Sequence, residues 1–376
     1  MAASAQTTIE ADFKKAFQMQ NAGRFPEASQ LYRRVLARDP DHALACHNLG
    51  IIIGTETGPA AALPLYWNAV RLMPNFPEAH NSLANAYQAL NLYELAEKNF
   101  RIAIASDPSI ALIYYNFGNL MMKLDRNEEA VKLYSQALRL DPNYKDACVN
   151  RGNVLRSLSR RAEAQAMFER SLEIDPGYAL GHIGLGNILR DLDESERALV
   201  HYRAAVENAP DLAIAHFNYA NVLRDLGQVP GAEASFRRAI ELDPTNADYY
   251  RHLVQVARLK PDDLLVVAMQ EGFESPTNTE WARMNFGYAL GIVFDQARLH
   301  DQAFRYFAEA NRLKRKTAKY DHEMELTKLA AIRKVFAPER LASLPTSGID
   351  DETPIFVVGM MRSGTTLTEQ ILASHP

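Results

Sequence analysis

Seven prolines, Pro40, Pro74, Pro108, Pro142, Pro176, Pro210 and Pro244, stand 34 residues apart. A fixed period of this size means a stack of similar supersecondary units, because each unit alone cannot bury its apolar face. Two further series keep the register. Gly50, Ala84, Gly118, Gly152, Gly186 and Ala220 form one. The other is Ala28, Ala62, Ala96, Ala130, Ala164, Ala198 and Ala232, each followed four residues later by an aromatic ring: Tyr32, Tyr66, Phe100, Tyr134, Phe168, Tyr202 and Phe236. The pattern predicts two amphipathic helices per unit. The first carries the small residue where neighbouring backbones come close, and the second carries the alanine and the ring that fill the space between them. A residue before proline leaves the α region, so the second helix ends there. Asp41, Asn75, Ser109, Asn143, Asp211 and Thr245 follow the prolines directly and are good N-cap types for the next helix, with Gly177 the exception.

These series resemble the tetratricopeptide repeat (TPR) over residues 9–246, as seven units behind a short N-terminal segment, 1–8. The resemblance implies a mostly α fold, a TPR α-solenoid wound as a right-handed superhelix with first helices lining its concave side. Residues 247–317 read as degenerate TPR-like helices. Within them 247–259 look like a first helix, 274–280 a loop, and 284–317 a further unit with Gly291, Ala303 and Phe307 in the expected slots. The fourth position of the first helix holds Cys46, His80, Tyr114, Cys148, His182 and His216. These read as large residues filling the slot between helices rather than as ligands or bases.

One residue after the small-residue series stand Asn85, Asn119, Asn153, Asn187 and Asn221, and three residues earlier Asn48, Asn116, Asn150 and Asn218. Ser82 and Gly184 occupy the remaining slots of the second column. Spacing of i and i+3 puts both columns on one helical face. A carboxamide offers both a donor and an acceptor, so such columns suit the backbone of an extended peptide whatever its side chains. The pattern is similar to the asparagine ladder in the TPR superhelix of O-linked N-acetylglucosamine transferase, which implies a protein or peptide partner in the groove. The alternative is that the asparagines bridge adjacent first helices and stabilise the stack. Arg156, Arg190 and Arg224 take one further slot on this face and favour acidic substrate segments.

Toward the C-terminus the periodicity changes. Residues 321–344 read as a helical connector, within a connector-and-loop segment 318–352, and 355–359 ("IFVVG") as a short buried strand. The strand feeds "MMRSGTT" and a helix, an arrangement in which backbone amides and the helix dipole converge on an anion. Gly359 and Gly364 have Walker-like spacing, but Thr365 stands where that motif has lysine, which disfavours nucleotide triphosphate hydrolysis. "FVVGMMRSGTTL" resembles the 5′-phosphosulfate loop of sulfotransferases that use 3′-phosphoadenosine 5′-phosphosulfate (PAPS), particularly the bacterial TPR-fused branch and its protein-tyrosine sulfotransferase relatives. The resemblance implies that 353–376 start an α/β P-loop-like sulfotransferase domain in its first βα unit. It also implies that Arg362, Ser363, Gly364, Thr365 and Thr366 hold PAPS, and that sulfate passes to a protein hydroxyl, tyrosine in the relatives. Met361 departs from the proline often found there. The family's catalytic base lies downstream of the loop, past Pro376, so no catalytic residue is named and the chain reads as a truncated product or fragment, inactive by itself.

The competing reading is a non-catalytic TPR interaction scaffold. A glycosyltransferase would rest on the asparagines alone. Net charge of −5 argues against a general nucleic-acid partner, which would need clustered positive charge. The longest apolar runs fall far short of the ~18–20 residues a membrane-spanning helix needs, and no secretory signal is visible, which makes a cytoplasmic protein the expectation. The histidines show no ligand spacing, so no metal is expected. Cys46 and Cys148 fall three repeats apart, too far for a disulfide between them.

Overall fold

The computed structural model describes residues 2–317, 322–335 and 337. They divide into two units, 1–315 and 316–376. The first begins with the helical pairs α1 (Ala2–Asn21) and α2 (Phe25–Arg38), α3 (Ala43–Glu56) and α4 (Pro59–Leu72), and α5 (Pro77–Ala89) and α6 (Tyr93–Ser106). It continues through α7 (Ala111–Lys123) and α8 (Asn127–Leu140), α9 (Lys145–Ser157) and α10 (Arg161–Ile174), and α11 (Ala179–Arg190) and α12 (Ser195–Asn208). The pair α13 (Ala213–Asp225) and α14 (Val229–Leu242) completes the regular series. Each first helix packs on its own second helix, and each second helix on the next first helix. First helices also touch one another, α3 on α5 and so on to α13. The side on which neighbours crowd is the inside of the curve, so the asparagine-bearing helices line it.

The periodic positions make the core. All seven alanines of the Ala28-to-Ala232 series are fully buried, and the seven rings that follow them are buried too. The glycines explain themselves by what a side chain would strike. A Cβ on Gly50, Gly118, Gly152 or Gly186 would lie 2.6–2.7 Å from the ring of Tyr66, Tyr134, Phe168 or Tyr202 of the same repeat. The close approach is therefore between a first-helix backbone and an aromatic ring, not between two backbones.

The turns between repeats depart from the expected capping. The second helices do end two residues before each proline, with extended cap residues such as Asp107 (φ −149°, ψ 105°). The following first helices, however, start one residue later than the polar series requires, behind Phe76, Ile110, Tyr144, Tyr178 and Leu212, which supply no side-chain cap. The capping carboxylates belong to the aspartates before the prolines. Asp39, Asp107, Asp141, Asp175 and Asp243 accept the backbone N–H of Asp41, Ser109, Asn143, Gly177 and Thr245 at 2.8–3.2 Å. An Asx-type turn thus stands in for the N-cap before α7, α9 and the helix that starts at Ala179, whereas the helices after Asp39 and Asp243 keep side-chain caps, with His42 Nδ1 accepting from Ala45 N–H and Asn246 Oδ1 from Asp248 N–H.

Beyond residue 246 the period loosens. The first helix expected over 247–259 is the single short α15 (Ala247–Leu253), followed by α16 (Leu264–Glu274), α17 (Glu280–Gln296) and α18 (His300–Thr317). α17 packs on both α15 and α16, the loop falls at 275–279, and a Cβ on Gly291 would strike the Phe307 ring, as in the regular repeats. In the second unit the described element is α19 (His322–Val335), the middle of the expected connector, with Lys328 paired to Glu325 at 2.8 Å. The expected strand at 355–359 and the loop that follows it lie outside the described residues. Among the described residues every regular element is a helix, and none is long and apolar enough to cross a membrane.

Candidate functional site

The two asparagine columns separate into three groups. In the first, amides bridge repeats. Asn116 Nδ2 donates to Asn81 Oδ1 at 3.0 Å, Asn150 Nδ2 donates to Asn119 Oδ1 at 2.9 Å and to Tyr115 Oη at 3.1 Å, and Asn48 Nδ2 donates to Tyr32 Oη at 3.1 Å. In the second, Asn218 and Asn221 are buried and their amides donate to Ile214 O and Phe217 O one turn back on α13, at 2.9 and 3.0 Å. The third group faces the inner side with capacity left over: Asn85, Asn119, Asn153 and Asn187.

What distinguishes members of the third group is the ring on the second helix. Where it is tyrosine, the hydroxyl holds the asparagine: Tyr134 Oη donates to Asn119 Oδ1 and Tyr202 Oη to Asn187 Oδ1, both at 2.7 Å. The oxygen is thereby fixed and the amide N–H groups are left for a ligand. Where it is Phe100 or Phe168, the matching Asn85 and Asn153 make no side-chain hydrogen bond among the described residues, and Asn153 is exposed. Carboxamides that are anchored by their oxygen therefore alternate with unanchored ones along the face. The bridging alternative thus has residues that answer to it, and the other carboxamides keep hydrogen-bonding capacity on the inner face.

α9, α11 and α13 enclose a depression of about 500 Å³, lined among others by Asn153, Arg156, Leu180, Asn187, Arg190 and Asn218. Among the described residues no acidic side chain lines it. Its cations differ. Arg156 is held by Asp191 of the next turn through Nε at 2.6 Å and Nη2 at 3.0 Å, a fork that keeps the Asp191 carboxyl below the usual carboxylate range. Arg224, outside the depression, donates to Gln255 and Asp225. Arg190 makes neither an ion pair nor a hydrogen bond among the described residues, and it lines the depression together with Asn153 and with Asn187, whose N–H groups are free. This arrangement can hold a carboxylate or a run of peptide carbonyls.

The histidines of the first helices have a structural task that their sequence position did not disclose. His80, His182 and His216 each donate through Nε2 to the carbonyl of the proline six residues earlier, at 3.0, 3.1 and 2.8 Å, which ties the helix to the preceding turn. His182 Nδ1 also shares a hydrogen bond with His201 Nδ1 at 3.2 Å; burial, and then the neighbouring His182, hold His201 below the ordinary imidazole value. The described residues contain no group of three or more His, Cys, Asp or Glu that could hold a metal ion. Cys46 and Cys148 are buried free thiols. The loop residues Arg362, Ser363, Gly364, Thr365 and Thr366 lie outside the described residues.

Comparison with known proteins finds two kinds of segment in the chain. Residues 77–110, 118–158, 149–213 and 183–247 match tetratricopeptide-repeat families, and residues 354–376 match the Sulfotransferase family. An uncharacterised protein of Aquifex aeolicus is 34% identical over 122 residues, which are 32% of this chain and 16% of that protein, so the match spans about a sixth of the relative's length. A tetratricopeptide repeat protein from Parabacteroides merdae superposes with a TM-score of 0.55 at 15% identity, covering 66% of this chain and 98% of that one. The Cut9–Hcn1 hetero-tetramer of the APC/C superposes at 0.53 and 16% identity, covering 73% and 55%. At these identities the likeness is one of fold. With the repeat register, the helical pairs and the family matches in agreement, the chain carries tetratricopeptide repeats stacked as a helical solenoid.

Proposed function

We propose that the repeat array recruits an extended, acidic protein segment and that residues 354–376 open a PAPS-dependent sulfotransferase centre acting on a hydroxyl of the recruited protein. The observation that carries the recruiting role is the depression between α9 and α13. There an unpaired Arg190, the free amide of Asn187 and the unpartnered Asn153 converge with no acid among them. The catalytic role is supported by the Arg-Ser-Gly-Thr-Thr core behind an apolar run and by the Sulfotransferase family match over 354–376. In this reading Arg362, Ser363, Gly364, Thr365 and Thr366 would hold the phosphosulfate end of PAPS, which supplies the sulfuryl group. Arginine suits that place because its planar fork meets two anionic oxygens at once.

The residues that favour binding also make a clean test, since neither Asn153 nor Arg190 holds another side chain by a hydrogen bond or an ion pair among the described residues. A labelled alternating Gly–Glu peptide should bind the full chain more tightly than a Gly–Lys peptide. The Asn153→Ala/Arg190→Met variant should lose about tenfold of that affinity, the size of one charge-assisted hydrogen bond, at an unchanged melting temperature. Equal binding of the two peptides, or full affinity in the variant, would overturn the recruiting role. The catalytic half is tested separately by calorimetric titration with the desulfated cofactor. Heat that disappears in Arg362→Ala is expected, and no heat from the wild-type chain leaves the array as a non-catalytic interaction scaffold.

A further inference from the structure

Near the other end of the array the face changes character. In the ladder slot of α3 stands Ile51 instead of asparagine, and in the slot that holds Arg156, Arg190 and Arg224 farther along stands Gly54. The two replacements act on one group, the hydroxyl of Tyr66. Of the four tyrosines in the second-helix series, Tyr32, Tyr134 and Tyr202 have their hydroxyls bonded, to Gln20, Asn119 and Asn187. Tyr66 is 7% exposed, and its hydroxyl has no partner among the described residues. Isoleucine cannot accept its proton, and the missing side chain of Gly54, whose Cβ would sit 3.4 Å from Tyr66 Oη, leaves the space above it open.

That space is a depression of about 470 Å³ between α3, α4 and α5, into which Tyr66 and the unpartnered carboxamide of Asn85 both open. The remaining wall is mostly apolar, including Ile51, Ala62, Ala86 and Ala89, with Thr55 and Ser82 the other hydroxyl residues, and among the described residues no charged side chain lines it. Pockets of this volume with a few convergent polar groups on apolar walls are the common form of a small-ligand or side-chain site. The hydroxyl faces that opening and is reached by solvent, so a ligand that accepts its proton takes the place of water there. The geometry points to a second binding site here, for a neutral group that carries both a hydrogen-bond donor and an acceptor on an apolar stem, a carboxamide or a phenol. Its acceptor takes the Tyr66 proton, and its donor meets Asn85 Oδ1. Anions and cations are excluded because nothing in the pocket balances their charge. The site is independent of the cationic depression between α9 and α13.

The test uses ¹⁵N-labelled full chain and the N-acetyl dimethylamides of four amino acids, glutamine, tyrosine, leucine and aspartate with its free side-chain carboxylate, so that a primary carboxamide or a phenol is carried by the side chain alone. The glutamine and tyrosine probes should shift the Asn85 side-chain resonances and the amides of residues 51–55, whereas the leucine and aspartate probes should not. Tyr66→Phe should weaken the response about tenfold, one hydrogen bond's worth. It should leave the fold intact, because phenylalanine already fills this place at Phe100, Phe168 and Phe236. Gly54→Leu should abolish the response by filling the pocket. Placing glutamine or tyrosine within a Gly–Ser peptide separates the sources: tighter binding than the capped residue marks a protein side chain, and equal binding marks a free small molecule. No shift with either neutral probe, equal shifts with the leucine probe, or an undiminished response in Tyr66→Phe would each overturn the site.

Discussion

Tyr66 and Tyr202 occupy the same place in repeats that lie four periods apart, and what separates them is the first helix they face. Around Tyr202 the facing helix carries Asn187 and Arg190; around Tyr66 it carries Ile51 and Gly54. The ring does the same packing in both, fully or nearly buried against a glycine one turn along. The hydroxyl does not. In one region it is an internal strut that sets an amide for a ligand; in the other it is an open functional group in a neutral pocket. A strict repeat thus fixes where the surface lies and leaves each unit two or three slots in which to vary its chemistry.

The largest effect should come from the glycines, where the two regions agree in one slot and disagree in the next. A Cβ at Gly186 would lie 2.7 Å from the Tyr202 ring, whereas one at Gly54 meets Ala62 and Tyr66 at an ordinary 3.4 Å. Gly186→Leu should therefore cost about 3 kcal/mol, the upper end of overpacking. Gly54→Ala should be neutral or gain a part of the ~0.5–1 kcal/mol that alanine has over glycine in a helix. Thermal unfolding of both variants decides, and equal losses would mean that the pocket at Gly54 is as tightly packed as the rest.

That contrast marks how far the sequence could be read. The solenoid was legible because helix pairing, the small-residue slot and the buried ring all repeat, and a repeated signal identifies itself without a partner structure. The degenerate helices were legible in place but not in length: α15 stops at Leu253, six residues short of the expected end, since no proline or glycine marks its end. The inter-repeat turns differ from the expected capping because Asp-Pro-x offers two polar residues, and the sequence does not say that the carboxylate before the proline takes the N–H. The turn inside each repeat went unread, although Asn91, Asp125, Ser159, Asp193 and Gly227 keep the period and all have positive φ, the region that asparagine, aspartate and glycine tolerate best. The asparagines were found, but not their division into bridging, buried and available, because that depends on whether the ring across the helix carries a hydroxyl.

A second, somewhat smaller difference should appear with pH. Next to Tyr66, His47 is buried, its Nε2 3.0 Å from Ser82 Oγ, and burial pulls its pKa down to about 4. The unfolded chain, with an ordinary imidazole near 6.5, binds the proton first as the pH falls. The stability from keeping His47 neutral is therefore complete above about pH 6.5, declines from there to about pH 4, and amounts to about 2–3 kcal/mol over that span. His201 beside α11 moves in the same direction. His47→Gln should flatten the slope of denaturant stability against pH between those limits; an unchanged slope would place the acid sensitivity elsewhere, with His201 the next group to remove.

The smallest effect bears most directly on the comparison. Tyr202→Phe removes the donor that holds Asn187 Oδ1 at 2.7 Å, while Tyr66→Phe removes a hydroxyl that holds nothing in the described fold. A neutral hydrogen bond contributes about 1 kcal/mol net, and Asn187 is only half-buried, so water replaces part of the loss. Tyr202→Phe should cost about 0.5–1 kcal/mol, and Tyr66→Phe should match the wild type. The double-mutant cycle with Asn187→Ala isolates the pair: the coupling should approach the whole cost of Tyr202→Phe, because once the carboxamide is gone the hydroxyl has no acceptor there to lose. The same variant should weaken binding of the Gly–Glu peptide, since an unanchored Asn187 turns its oxygen toward the ligand as readily as its amide. A stability loss with unchanged peptide affinity would make the tyrosine a strut alone, and equal costs for the two tyrosines would show that their hydroxyls are not what sets the two regions apart.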